Sequence, residues 1–142
     1  MAKGSGPILS SLAFNVVGMD MKLELVAVPV TDVDRALDFY VKAGFVLDHD
    51  HAVSDEIRFV QLTPPGSACS ITIGKGVTGM QPGSLDNMQM VVADADEARA
   101  DLQSRGIEAS EVDEQPWGRF VTFEDPDGNR WALQQMAGPA YE

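Results

Sequence analysis

Val28-Pro29-Val30-Thr31-Asp32-Val33-Asp34-Arg35-Ala36 is the stretch on which the reading of the fold turns. Alternating apolar side chains up to Val30 describe a strand. Asp32 then offers the short acceptor side chain that caps a helix start. The helix pattern runs to about Ala43, where Gly44 supplies a left-handed C-terminal residue. Sliding the chain against itself by 62 positions lays Asp32 on Asp94, Asp34 on Asp96, Ala36 on Ala98 and Gly44 on Gly106. Further along, Pro64 falls on Pro126 and Gly66 on Gly128. Matches at both helix boundaries and both late turns, with no change of register, identify two copies of one unit.

Working outward, the first copy reads as a strand Leu23 to Val30, the capped helix, and strands near Phe45 to Val53, Glu56 to Leu62 and Ala68 to Gly74. Thr63-Pro64-Pro65-Gly66 turns the last pair. The second copy reads as a strand near Asp86 to Val92, a helix Asp94 to Arg105, and strands Glu108 to Val112, Arg119 to Phe123 and Arg130 to Gln135. Its matching turn is Asp125-Pro126-Asp127-Gly128-Asn129. The fold class is therefore α+β, with two βαβββ modules at 21–76 and 84–136 in one domain, 21–136. Residues 1–20 read as an N-terminal extension, possible disorder included, because Ser10, Ser11 and Asn15 interrupt the apolar patch that a signal peptide needs. Residues 137–142 read as a C-terminal tail.

A chain of 142 residues suits one domain that buries a core without disulfides or metal. Ten basic against 22 acidic residues give a net charge of −12, which repels phosphate backbones and anionic lipid, so neither nucleic acid nor membrane is an expected partner. No apolar run approaches the roughly 20 residues that span a bilayer. Cys69 is the only cysteine, which excludes an intrachain disulfide and a cysteine-based zinc site and fits a reducing, cytoplasmic setting.

The opening stretch with Phe39-Tyr40, and the later Phe123-Glu124-Asp125-Pro126-Asp127-Gly128-Asn129-Arg130-Trp131, resemble the glyoxalase/bleomycin-resistance/extradiol-dioxygenase (vicinal oxygen chelate) superfamily over about residues 21–136. The resemblance implies that the two modules form a cupped mixed β-sheet with helices on its convex side. It also implies a divalent metal in the cup, held by His, Glu or Gln from the first and last strand of each module. On the first strands the family's His position falls on Leu25 and Asn87. On the last strands its Glu position falls on Ala132 and Ser70, with Thr72 the alternative to Ser70. Leu25 and Ala132 offer no donor, and an Asn oxygen or a Ser hydroxyl does not replace imidazole or carboxylate. No metal and no other cofactor is expected, nor the metal-dependent glyoxalase, fosfomycin-modifying and ring-cleaving activities known in the family.

Side chains alternate across a strand, so the apolar face of each strand is assigned to the helices and the other to the cleft. This gives a cleft of Leu25, Ala27, Ser70, Thr72, Asn87, Gln89, Ala132 and Gln134, a small-residue floor with amides and hydroxyls that suits an organic ligand, or simply a solvated or dimer-forming sheet face. With the offset extended to the third strands, Ile57, Phe59 and Gln61 share a face with Arg119, Val121 and Phe123. Arg119 would then hold an anionic substituent or else make a surface ion pair. Trp117, between Pro116 and Gly118, would close over a flat ligand or plug a module junction. His49 and His51 share one strand face, with Asp48 and Asp50 on the other, and read as an exposed edge rather than a metal pair. Gly74-Lys75-Gly76 follows a strand without opening a helix and is no phosphate loop.

The function expected from these residues is metal-independent binding of a small molecule by a homodimer. The alternative is a lyase, isomerase or dioxygenase-like enzyme in which Glu56, Glu124, His49 or His51 moves a proton.

Overall fold

The structure, a computed structural model, describes residues 18–138; of the extension read over residues 1–20 and the tail read over 137–142, residues 1–17 and 139–142 lie outside it. The first module comprises β1 (Leu25–Ala27), α1 (Val33–Lys42), β2 (Val46–Ala52), β3 (Arg58–Thr63) and β4 (Ser70–Thr72). The second comprises β5 (Met88–Val91), α2 (Ala95–Ser104), β6 (Asp113–Gln115), β7 (Gly118–Glu124) and β8 (Arg130–Met136). Each module forms its own four-stranded mixed sheet, and the order β1-β4-β3-β2 recurs as β5-β8-β7-β6. In each, the first and last strands pair in parallel and the remaining pairs are antiparallel.

The helices carry the repeat most faithfully. Asp32 accepts from the Arg35 amide at 3.1 Å and Asp94 from the Glu97 amide at 3.0 Å, which satisfies an otherwise orphaned N–H at each start. Gly44 and Gly106 end them with φ of 106° and 80°, a region closed to most side chains. The stretch read as a strand over Glu108 to Val112 is irregular instead, and β6 begins only at Asp113. Ser110 explains this locally. Its amide donates to the Thr122 carbonyl, but its side-chain oxygen takes the Thr122 amide, so a side chain stands where a ladder carbonyl would be.

The inner faces of both sheets and one side of each helix run into a single core: Val60, Leu62, Ile71 and Ile73 from the first sheet, Val121, Phe123, Trp131 and Leu133 from the second. At its centre Tyr40, on α1, reaches across to the second module. Its hydroxyl donates to Asp125 at 2.8 Å and accepts from the Trp131 indole N–H at 2.9 Å. The buried Asp125 carboxylate also accepts from the Asn129 side-chain amide at 2.8 Å and from the backbone amides of Asp127 and Asn129, each at 2.9 Å. Asn129 in turn donates to the Pro29 carbonyl at 2.8 Å, tying the late turn of one module to the helix entry of the other.

Burial first, and then the charge of Asp125, push the Tyr40 phenol far above the ordinary tyrosine value of 10.0. Above that value the unfolded chain sheds a proton that the folded protein keeps. The stability tied to Tyr40 is thus intact below about pH 10 and is lost as pH rises beyond it, by up to about 1.4 kcal/mol per pH unit. Urea unfolding repeated between pH 9 and 11.5 is expected to show this decline, and Tyr40→Phe is expected to flatten it.

Candidate functional site

The faces turned away from the shared core are the candidate site. In the first module that outer face carries Leu25 and Ala27 on β1, Ser70 and Thr72 on β4, and Gln61, which pairs with Thr72, on β3. The edge strand β2 adds His49 opposite Gln61 and His51 opposite Phe59. A β-bulge between Leu47 and His49 adds one residue to this edge. Asp48 is thereby brought to the histidine face, not to the opposite one with Asp50, and its carboxylate accepts from the Thr63 hydroxyl. Thr63 and Ser70 hydroxyls lie 2.6 Å apart, so carboxylate and hydroxyls form a short polar chain across three strands. Thr72 Oγ1 is buried and, among the described residues, has no hydrogen-bond partner.

In the second module the outer face carries Gln89 and Val91 on β5, Ala132 and Gln134 on β8, and Phe120 and Thr122 on β7. Gln134 donates through Nε2 to the Trp117 carbonyl at 3.2 Å, which places Trp117, 53% exposed at the β6–β7 turn, beside this face.

Three expected positions, Asn87, Arg119 and Phe123, are corrected. Asn87 lies one residue ahead of β5 with φ 69°, and the residue facing Ala132 is Gln89. The link from first strand to helix is two residues shorter here: Leu25, the partner of Ser70, lies seven residues before Asp32, whereas Gln89 lies five before Asp94. Arg119 and Phe123 lie on the inner face. Thr72 faces Gln61 but Gln134 faces Phe120, so β3 and β7 are related by an offset of 59 rather than 62, and an odd slip exchanges the faces of a strand. Phe123 is core at 4% exposure. Arg119 holds Asp96 of α2 at 2.9 Å and Glu114 at 3.0 Å, and its hydrogen bonds hold the Asp96 carboxyl below the usual carboxylate range. Of the expected residues, Leu25, Ser70 and Thr72 come together on one outer face and Gln89, Ala132 and Gln134 on the other, with the Trp117 carbonyl at its margin. Phe59 and Gln61, read from the sequence as sharing a face, join the first face with Thr63 and Asp48, and Phe120 and Thr122 join the second; the bulge hides Asp48 from the sequence and the odd slip hides Phe120 and Thr122.

A family model described as the glyoxalase/bleomycin resistance protein/dioxygenase superfamily matches residues 22–133. The chain belongs to this superfamily. Among solved structures, TnmS3, an antibiotic binding protein from Streptomyces sp. CB03234, is 35% identical with a TM-score of 0.76, over 85% of this chain and all of that one. A glyoxalase/bleomycin resistance protein from the same Streptomyces strain is 37% identical with a TM-score of 0.70, over 80% of this chain and all of that one. An uncharacterized protein of Shewanella frigidimarina is 30% identical over 83% of this chain and 96% of its own length.

The metal that the superfamily implies does not fit the side chains present. The paired first-strand and last-strand positions are Leu25 with Ser70 and Gln89 with Ala132. Together they supply one hydroxyl, already beside Thr63, and one neutral amide oxygen, well short of the three or more imidazole or carboxylate ligands a catalytic divalent ion takes. Among the described residues no three of His, Cys, Asp and Glu come together elsewhere, and no helix is long and apolar enough to cross a membrane.

Proposed function

We propose that this protein is a metal-independent binder of a small organic molecule, acting in the cytoplasm as a homodimer. The observation that supports it most is the donor set: two apolar side chains, one hydroxyl and one amide stand at the superfamily's metal positions, while hydroxyls, amides and aromatic rings remain on the same faces to hold an organic ligand. The likeness to an antibiotic binding protein at 35% identity favours the same reading. Polycyclic aromatic antibiotics are the class to try first, since Phe59, Phe120 and Trp117 offer flat apolar contact beside the amides of Gln61, Gln89 and Gln134. A homodimer fits this reading because each outer face is backed by the shared core, and a second copy would supply the other side of a cup.

Isothermal titration with bleomycin and a panel of polycyclic aromatic antibiotics, on protein treated with chelator and on protein loaded with nickel, manganese, iron or zinc, tests the reading. Expected are saturable binding that chelation leaves unchanged and no metal retained after dialysis by elemental analysis. Gln134→Ala is expected to weaken binding roughly tenfold, the loss of about 1.4 kcal/mol that one buried hydrogen bond contributes. Stoichiometric retained metal, or binding that requires it, overturns the proposal.

A further inference from the structure

The repeat creates two junctions, in each of which the helix of one module meets the late turn of the other. At the first, Tyr40 fills the gap. Its ring lies 5.8 Å from that of Trp131 and 5.2 Å from that of Phe45, while Asn129 closes the turn onto Pro29. At the second junction the 62-residue offset puts Leu102 for Tyr40, Cys69 for Trp131 and Ser67 for Asn129, each smaller than its counterpart. Beside Leu102 and Ser67 an open space remains. A cavity of about 480 Å³ lies between Leu102 of α2 and the Pro64 to Ser67 turn, walled by Met90, Val92 and Leu133. Its size falls in the range of roughly 300–1,000 Å³ that holds small ligands.

The chemistry of the walls narrows the occupant. Phe45 and Phe123, which pack on Trp131 at the first junction, also border the cavity, so an aromatic guest would extend an existing ring cluster. Asp101, the one charged group at its edge, is already engaged by Arg105 at 3.0 Å, which leaves no free charge for an ionic guest. We infer that the second junction is a binding site for a neutral one- or two-ring aromatic molecule, which takes the place of the aromatic pair that closes the first. This site is distinct from the outer faces. Only Gln89 and Val91, at the β5 edge, touch both, and Leu25, Ser70, Thr72, Ala132 and Gln134 do not border it.

Indole is the probe. Titrated into the full chain and followed by amide chemical shifts and calorimetry, it is expected to bind at one equivalent and to shift Ser67, Met90 and Leu102. Leu102→Phe fills the cavity from the helix side, and Ser67→Trp obstructs it from an exposed turn where folding is little at risk. Both are expected to weaken indole binding at least roughly tenfold, and Leu102→Phe also to raise the thermal midpoint. Gln134→Trp, on the outer face of β8, is expected to leave indole binding unchanged. No saturable binding by the wild-type chain overturns the inference, as does binding that survives both junction variants. Loss in Gln134→Trp alone also overturns it, since that result places indole on the outer face and leaves the proposed antibiotic site standing.

Discussion

Asp125→Ala is expected to destabilise the protein by about 3–5 kcal/mol, a large part of the 5–15 kcal/mol by which a domain of this size is stable. One buried carboxylate satisfies four donors here: the Tyr40 hydroxyl, the Asn129 side-chain amide, and the backbone amides of Asp127 and Asn129. Alanine removes every acceptor at once and leaves those donors in a place closed to water, where each unpaired group costs about 1–3 kcal/mol. The loss also propagates, because the turn that Asp125 holds is the one whose Asn129 grips Pro29 and Leu85. Asp125→Asn keeps one oxygen but turns an NH2 toward donors, and is expected to fall between wild type and alanine. Tyr40→Phe removes a single hydroxyl and leaves the Trp131 indole without its acceptor, for about 1–2 kcal/mol. Since Tyr40 and Asp125 share one bond, the double variant Tyr40→Phe with Asp125→Ala is expected to cost less than the two singles together. Urea unfolding midpoints of the wild type and the four variants check all of this, and strict additivity would show that the network is not a unit.

This network also marks where the sequence was legible and where it was not. The helix caps Asp32 and Asp94 and the glycines that follow the helices announce themselves by residue type, because capping is a local interaction whose partners lie within a turn. From those fixed points the module order and the core strands follow by alternation. Register between strands is not local. Alternation from Ala132 to Gln134 matches the outer face of β8, but β7 does not keep the 62-residue offset that puts Arg119 and Phe123 on that side, and a slip of three residues inverts their face. Asn87 failed for a related reason: the shorter link before Asp94 moves the pairing by two, which keeps the face but changes the residue to Gln89. The bulge that brings Asp48 to the Thr63 hydroxyl has no sequence mark at all, since the residues around it are ordinary for a strand edge.

The same divergence between the halves bears on function. A symmetric pair of modules would present two like faces, whereas here one outer face is a carboxylate–hydroxyl chain with two histidines beside it and the other is amide and aromatic. A ligand spanning a cup made of one face of each kind would meet hydrogen-bond acceptors on one side and flat apolar surface on the other. Under the proposed function, such a site would select an amphipathic, partly hydroxylated ring system over a purely apolar one.

Gly83→Ala is expected to cost about 2–4 kcal/mol, the second large effect, although no side chain of the linker between the modules is part of the core. Gly83 has φ 79°, where a Cβ meets its own carbonyl neighbour, and an added Cβ would stand 2.2 Å from the Asp127 carbonyl oxygen. Backbone cannot swing aside as a flexible side chain does. Asp127 is moreover fixed by the Thr31 hydroxyl at 2.7 Å and amide at 3.2 Å, and Gly83 itself donates to Pro29 at 3.2 Å. Linker, helix entry and late turn thus meet at one point, and any displacement that relieves the clash must open one of these bonds. Gly79→Ala is the control: nothing lies within 4 Å of a Cβ there and its φ is not positive, so its effect is expected to stay within about 0.5 kcal/mol. Equal urea midpoints for the two variants would mean that the linker yields freely at Gly83, and that the close approach to Asp127 does not hold the two modules in register.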